Sequence, residues 1–85
     1  MANYTKQISS LTRDIVRIVK QIKETGEIAF ITKVTKEIVK DQKMKGTAKN
    51  KFMVRDAIIY AAAKGNITIN ISGKQLFIDV SQMEK

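Results

Sequence analysis

Apolar residues recur at a helical period along the first third of the chain. Ile8, Leu11, Ile15, Ile18 and Ile22 are spaced three, four, three and four, and Val16 and Val19 widen the stripe. Neither glycine nor proline interrupts before Gly26. The pattern predicts an amphipathic helix from Tyr4 or Thr5 to Thr25-Gly26, near 20 residues and about 30 Å long. Ile28-Ala29-Phe30-Ile31 follows, an apolar run too short to type by its period. Thr32 is placed to cap a second helix running to about Gln42, with Val34, Ile38 and Val39 inward. After the connection KMKGTAKNK, residues 43–51, Val54, Ala57, Ile58 and Ala61 mark the inner face of a third helix, capped by Asn50 or Thr47. Lys64-Gly65 reads as its stop. The period then drops to two. Ile67, Ile69 and Ile71 alternate with Thr68 and Asn70, Ser72-Gly73 signals a turn, and Leu76, Ile78 and Val80 alternate again. Residues 1–5 and 81–85 are polar ends expected to be loose.

The result is an α+β order, three helices followed by a two-stranded β-hairpin, within one domain spanning residues 1–85. The stretch from Val54 to Val80 resembles the recognition helix and wing of winged helix-turn-helix domains. Val54, Ala57, Ile58 and Ala61 match the buried positions of that helix, and Gly65 with Ile67 matches the approach to the first wing strand. The resemblance covers roughly residues 10–80. It implies a short extra strand near residues 28–31 added to the wing, and a third helix that enters the major groove of DNA. The connection ahead of the third helix is longer than the tight turn of the simplest helix-turn-helix proteins.

Composition narrows the function. There is no histidine and no cysteine, which removes the commonest general base and the usual metal ligands. The four glycines, at 26, 46, 65 and 73, form no phosphate loop, and no serine has a base placed near it. These observations argue against an enzyme, and they imply no cofactor, metal or small-molecule ligand. No apolar run approaches the length of a membrane span, and the first ten residues lack the core of a signal peptide. The expectation is a cytoplasmic, nucleoid-associated protein. Sixteen lysines and arginines against eight acids give a net charge of +8. An excess of that size on a chain of 85 residues points to a polyanionic partner, with double-stranded DNA first.

The candidate DNA-binding residues follow from the third helix. With Val54, Ala57, Ile58 and Ala61 inward, Arg55 and Tyr60 lie on or beside the outer side. Arg55 has the planar fork that suits a guanine edge or a phosphate, and Asn50 is suited to adenine. Lys43, Lys45, Lys49 and Lys51 precede and enter the helix with no acid among them, where they would grip phosphates. Lys74 falls at the hairpin tip, where winged domains place a cation on the backbone or in the minor groove. Tyr4, Ile8 and Leu11, at the start of a helix long for so small a domain, form the expected seam of a homodimer.

The leading reading is a small DNA-binding protein, a transcriptional regulator or a nucleoid-type architectural protein. Two others compete. The helix–hairpin layout is also similar to a small-subunit ribosomal protein family, which implies RNA binding within a ribonucleoprotein. A winged domain that has lost nucleic acid would be a protein-interaction module anchored by Ile59, Tyr60 and Phe77.

Overall fold

In the computed structural model, residues 2–80 are described, with side chains from Tyr4 onward. Three helices, α1 (Ala2–Glu24), α2 (Ile31–Asp41) and α3 (Ala48–Ala63), precede two strands, β1 (Ile67–Ser72) and β2 (Gln75–Val80). The strands pair antiparallel in a register that sets Ile67 opposite Val80 and Ile71 opposite Leu76. A single bridge joins Phe30 to Phe77, and the Ile78 N–H donates to the Ala29 carbonyl at 2.9 Å. The expected extra strand near 28–31 is thus one bridge laid against the free edge of β2.

The core lies where the three helices and the base of the hairpin converge. Ile15, Val19, Val34, Ile38, Val54 and Ile58 are fully buried there, with Ile67 and Ile78 closing it from the hairpin. The α3 stripe is the one read from its period: Val54, Ala57, Ile58 and Ala61 all have no exposure. Two of the four are alanines, which lets the α1 and α3 backbones approach closely at their crossing.

The helix ends explain how five elements fit into 33 × 26 × 22 Å. At the end of α3 the Gly65 N–H donates to the Ala62 carbonyl and the Asn66 N–H to the Ala61 carbonyl, both at 3.0 Å. This pair of bonds satisfies the last carbonyls but needs a left-handed residue, and Gly65 supplies φ +85°. Asn66 then turns directly into β1. The end of α2 uses the same two bonds, Lys43 N–H to Lys40 carbonyl at 3.1 Å and Met44 N–H to Val39 carbonyl at 2.9 Å. Here the left-handed position is a lysine, Lys43 at φ 55°, the only non-glycine residue with positive φ among those described.

Four expectations need correction. Residues 2–5 are helical, because α1 begins at Ala2, whereas residues 81–85 lie outside the described part. Thr32 does not cap α2. Phe30 takes that position in extended backbone (φ −65°, ψ 148°) with no side-chain bond, since its bridge to Phe77 holds it extended up to the first helical residue. At α3 the cap is Thr47, whose Oγ1 accepts from the Asn50 N–H at 3.2 Å. Lys49, Asn50 and Lys51 therefore belong to the first turn of α3, not to the connection. The dimer seam also fails as expected. Ile8 and Leu11 sit in the chain's own core, 9% and 5% exposed, and Tyr4 donates its hydroxyl to Asp56 Oδ2 at 2.5 Å. The first turns of α1 fold down onto α3 instead of projecting past it.

Among the described residues, Thr35 is the one buried polar side chain, and its hydroxyl has no partner. A buried hydroxyl without a hydrogen bond costs about 1–3 kcal/mol, and valine has the same shape with similar helix propensity. Thr35→Val is expected to raise the stability to urea by about 1 kcal/mol. An unchanged or lower unfolding midpoint would show that the hydroxyl has a partner in solution.

Candidate nucleic-acid interface

α2 and α3 cross the same side of the core, and a shallow groove runs between their outer surfaces. Lys33, Lys36 and Lys40 line it from α2, and Lys51 and Arg55 line it from α3. The three α2 lysines fall on one edge because they are spaced three and four apart. Lys51 and Arg55 face them for the same reason, four residues apart on α3. Glu37 is the single acid along this groove.

Five acids find partners, most of them at joints between elements, while Glu24 and Glu37 have none among the described residues. Arg17 of α1 bonds Asp14 at 3.1 Å and Asp41 of α2 at 2.8 Å. Lys23 at the end of α1 pairs with Asp79 of β2, and Lys33 with Glu27 at 3.2 Å. Asp56 of α3 accepts from Tyr4 of α1. Lys36, Lys40, Lys43, Lys45, Lys49, Lys51, Arg55 and Lys74 have no carboxylate within ion-pair distance among the described residues. Lys6, Arg13, Lys20 and Lys64 likewise have none, so among the described residues seven of the twelve unpaired cations lie on α2, α3 and the connection between them. The first turn of α3 holds Lys49 and Lys51 and no acid. Lysines at that end oppose the helix dipole, which favours anions there by about 0.3–1 kcal/mol each.

The structure treats the expected site residues unequally. Lys51 and Arg55 share the groove with the α2 lysines, and the Arg55 guanidinium lies 5.9 Å from the centre of the Phe52 ring. Lys43, Lys45 and Lys49 are exposed on the connection and first turn beside it. Asn50 is a clasp: its Nδ2 donates to the Lys45 carbonyl at 2.8 Å and closes the connection onto α3. A bidentate contact with adenine needs that same amide, so Asn50 as placed is not a base reader. Tyr60 lies apart, half-buried in a second groove with Arg13, Arg17, Lys20 and Lys64, its ring 5.6 Å from Lys64 Nζ. Lys74 is exposed in the hairpin turn, directly after Gly73, whose φ of 65° makes the two-residue loop. The α2 lysines Lys33, Lys36 and Lys40 were not among the residues the sequence singled out, because their place as one wall of a groove depends on α3 packing beside α2. Phe52, 57% exposed, was missed altogether. Its signal was present in the spacing, since it stands seven residues before Ile59 on the side opposite the buried stripe.

Among the described residues no helix is long and apolar enough to cross a membrane. Compared with protein-family models, with known proteins and with solved structures, the chain matches none.

The joint between α1 and α2 is sensitive to pH. Hydrogen bonds from Arg17, and then from Gln42, hold the Asp41 carboxyl below the ordinary carboxylate range. A carboxyl depressed in the folded state stabilises fully above its unfolded value, and that contribution is lost as pH falls through the folded value. Asp41→Asn is therefore expected to lower stability near neutrality and to flatten its decline in acid. The check is a set of urea titrations from neutral pH down into the carboxylate range. An acid limb of unchanged steepness would show that the pair contributes nothing.

Proposed function

We propose that this chain is a winged helix-turn-helix protein that binds double-stranded DNA, with α3 in the major groove and the hairpin as the wing. The element order supports the reading. So does the bridge of Phe30 to Phe77, a single residue pair at the place where such domains carry a short third strand. The observation that carries it is the distribution of charge. Five acids are partnered, mostly at the joints of the fold, while seven cations on α2, α3 and the connection between them, and Lys74 at the hairpin tip, have no carboxylate partner among the described residues.

In this reading the lysines supply affinity and little sequence information, because phosphate contacts position a protein without reading bases. Lys36, Lys40, Lys49 and Lys51 would grip the two backbones flanking the major groove. Arg55 is the one planar donor set on the exposed side of α3, suited to a guanine edge or a phosphate. Lys43 fits the same picture. A non-glycine residue in the left-handed region costs about 1–2 kcal/mol, so a lysine there is a poor choice for stability alone. Its side chain starts from the corner where the connection leaves α2, beside the other cations. We read it as a position held for its charge.

Binding should weaken steeply with salt. About five phosphate contacts give a slope near −4.5 in log K against log salt, at roughly 0.9 per contact. Reversing charge at Lys49 and Lys51 together should flatten that slope by about 2 and weaken all sequences alike. Absence of duplex binding at low salt would reject the reading, and a preference for structured RNA over duplex would move it to a ribonucleoprotein role.

Lys43→Gly separates stability from binding. It should raise the stability to urea by about 1 kcal/mol and weaken DNA binding a few-fold, the size of one lost phosphate contact. A variant more stable and fully active would show that Lys43 touches nothing.

A further inference from the structure

α3 is the one helix of the three that is apolar on two opposite sides. Its inner stripe is fully buried, yet its outer ridge carries Phe52 and Ile59, 57% and 55% exposed. Among the described residues α2 exposes no large apolar side chain, and α1 exposes only Tyr4, at 43%. Seven residues at about 100° each place Phe52 and Ile59 within roughly 20° of one line along the helix. By the same geometry Lys49 and Arg55 lie about 60° to either side of Phe52. An apolar ridge with a cation on either flank, and Asp56 about 40° from Phe52 on the Lys49 side, matches one kind of surface. The floor of the DNA major groove presents the thymine methyl as its apolar feature, and phosphates rise on both sides. A hydrophobic protein partner would leave these lysines buried against it and unpaired, at a cost.

Resting on the DNA-binding reading above, we propose that Phe52 and Ile59 contact 5-methyl groups in the major groove. The protein then favours duplexes rich in A·T pairs by touching thymine, with hydrogen-bond readout left to Arg55. The Arg55 guanidinium beside the Phe52 ring orders that ring before DNA arrives. Asp56, the acid nearest the ridge, is held by the Tyr4 hydroxyl on the side toward α1.

Replacing thymine by uracil deletes only the 5-methyl from the major groove, and replacing cytosine by 5-methylcytosine adds one. The test measures binding of the full chain by fluorescence anisotropy to four short duplexes: alternating A·T, the same with uracil, alternating G·C, and the same with 5-methylcytosine. Each methyl buried should be worth about fourfold in Kd. The A·T duplex should therefore bind more tightly than its uracil form, and the 5-methylcytosine duplex more tightly than plain G·C. Both ratios should persist as salt lowers all four affinities, since an apolar contact releases no counterions. In the exposed double variant Phe52→Ala, Ile59→Ala both ratios should fall to one while the salt slope is kept. Binding to all four duplexes with both wild-type ratios at one would overturn methyl reading and leave DNA binding intact. Ratios that survive in the double variant would overturn the assignment to these two residues. Failure to bind any duplex at low salt would reject the parent reading as well.

Discussion

The burial of Val54, Ala57, Ile58 and Ala61 fixes the rotational phase of α3, and the outer surface of the protein follows from that phase. All four have no exposure, and they meet α1 on one side and α2 on the other. Turning the helix by one residue, about 100°, would push Arg55 or Tyr60 toward the core. Side chains on the opposite side are therefore presented in one order: a ridge of Phe52 and Ile59, Arg55 leaning toward α2, and Asp56 leaning toward α1. Burial of an isoleucine such as Ile58 is worth about 1.5–3 kcal/mol, which exceeds any surface preference that might rotate the helix.

Charge is organised around that same phase. The ion pairs of Arg17 and Lys23 join α1 to α2 and to β2, so acids are consumed where elements meet. Such exposed pairs add little stability. Their larger consequence is that they leave seven cations of α2, α3 and the connection between them without a carboxylate partner among the described residues. Two features of that set run against stability: lysines in the first turn of α3, and a lysine with φ 55° at the corner after α2. Both become intelligible if a polyanion binds there.

Much of this was legible in the sequence. The three-and-four spacing from Ile8 to Ile22, the stripe from Val54 to Ala61 and the alternation from Ile67 to Val80 each correspond to an element found. Where the reading missed, long-range contacts decided. The cap of α2 depends on Phe30 meeting Phe77, which no local pattern around Thr32 reveals. The use of Ile8 and Leu11 as core and not as a dimer seam depends on how α1 lies across α3. Asn50 looked like a base reader because its bond to the Lys45 carbonyl forms only once the connection folds back. Phe52 was overlooked because it sits among lysines, and a single aromatic there carries no signal until the phase of α3 is known. The walls of the α2–α3 groove come from two segments, and their juxtaposition is a tertiary fact.

The central claim is that one face, made by α2, α3 and the hairpin tip, meets a DNA duplex. An amide NMR titration of the labelled chain with a short duplex at low salt tests it most directly. The account predicts saturable shifts at residues 43–55, at Lys36 and Lys40 and at Gly73-Lys74, with the α1 groove around Arg13, Arg17 and Lys20 unmoved. Shifts confined to that α1 groove, or no shifts at all, would contradict it.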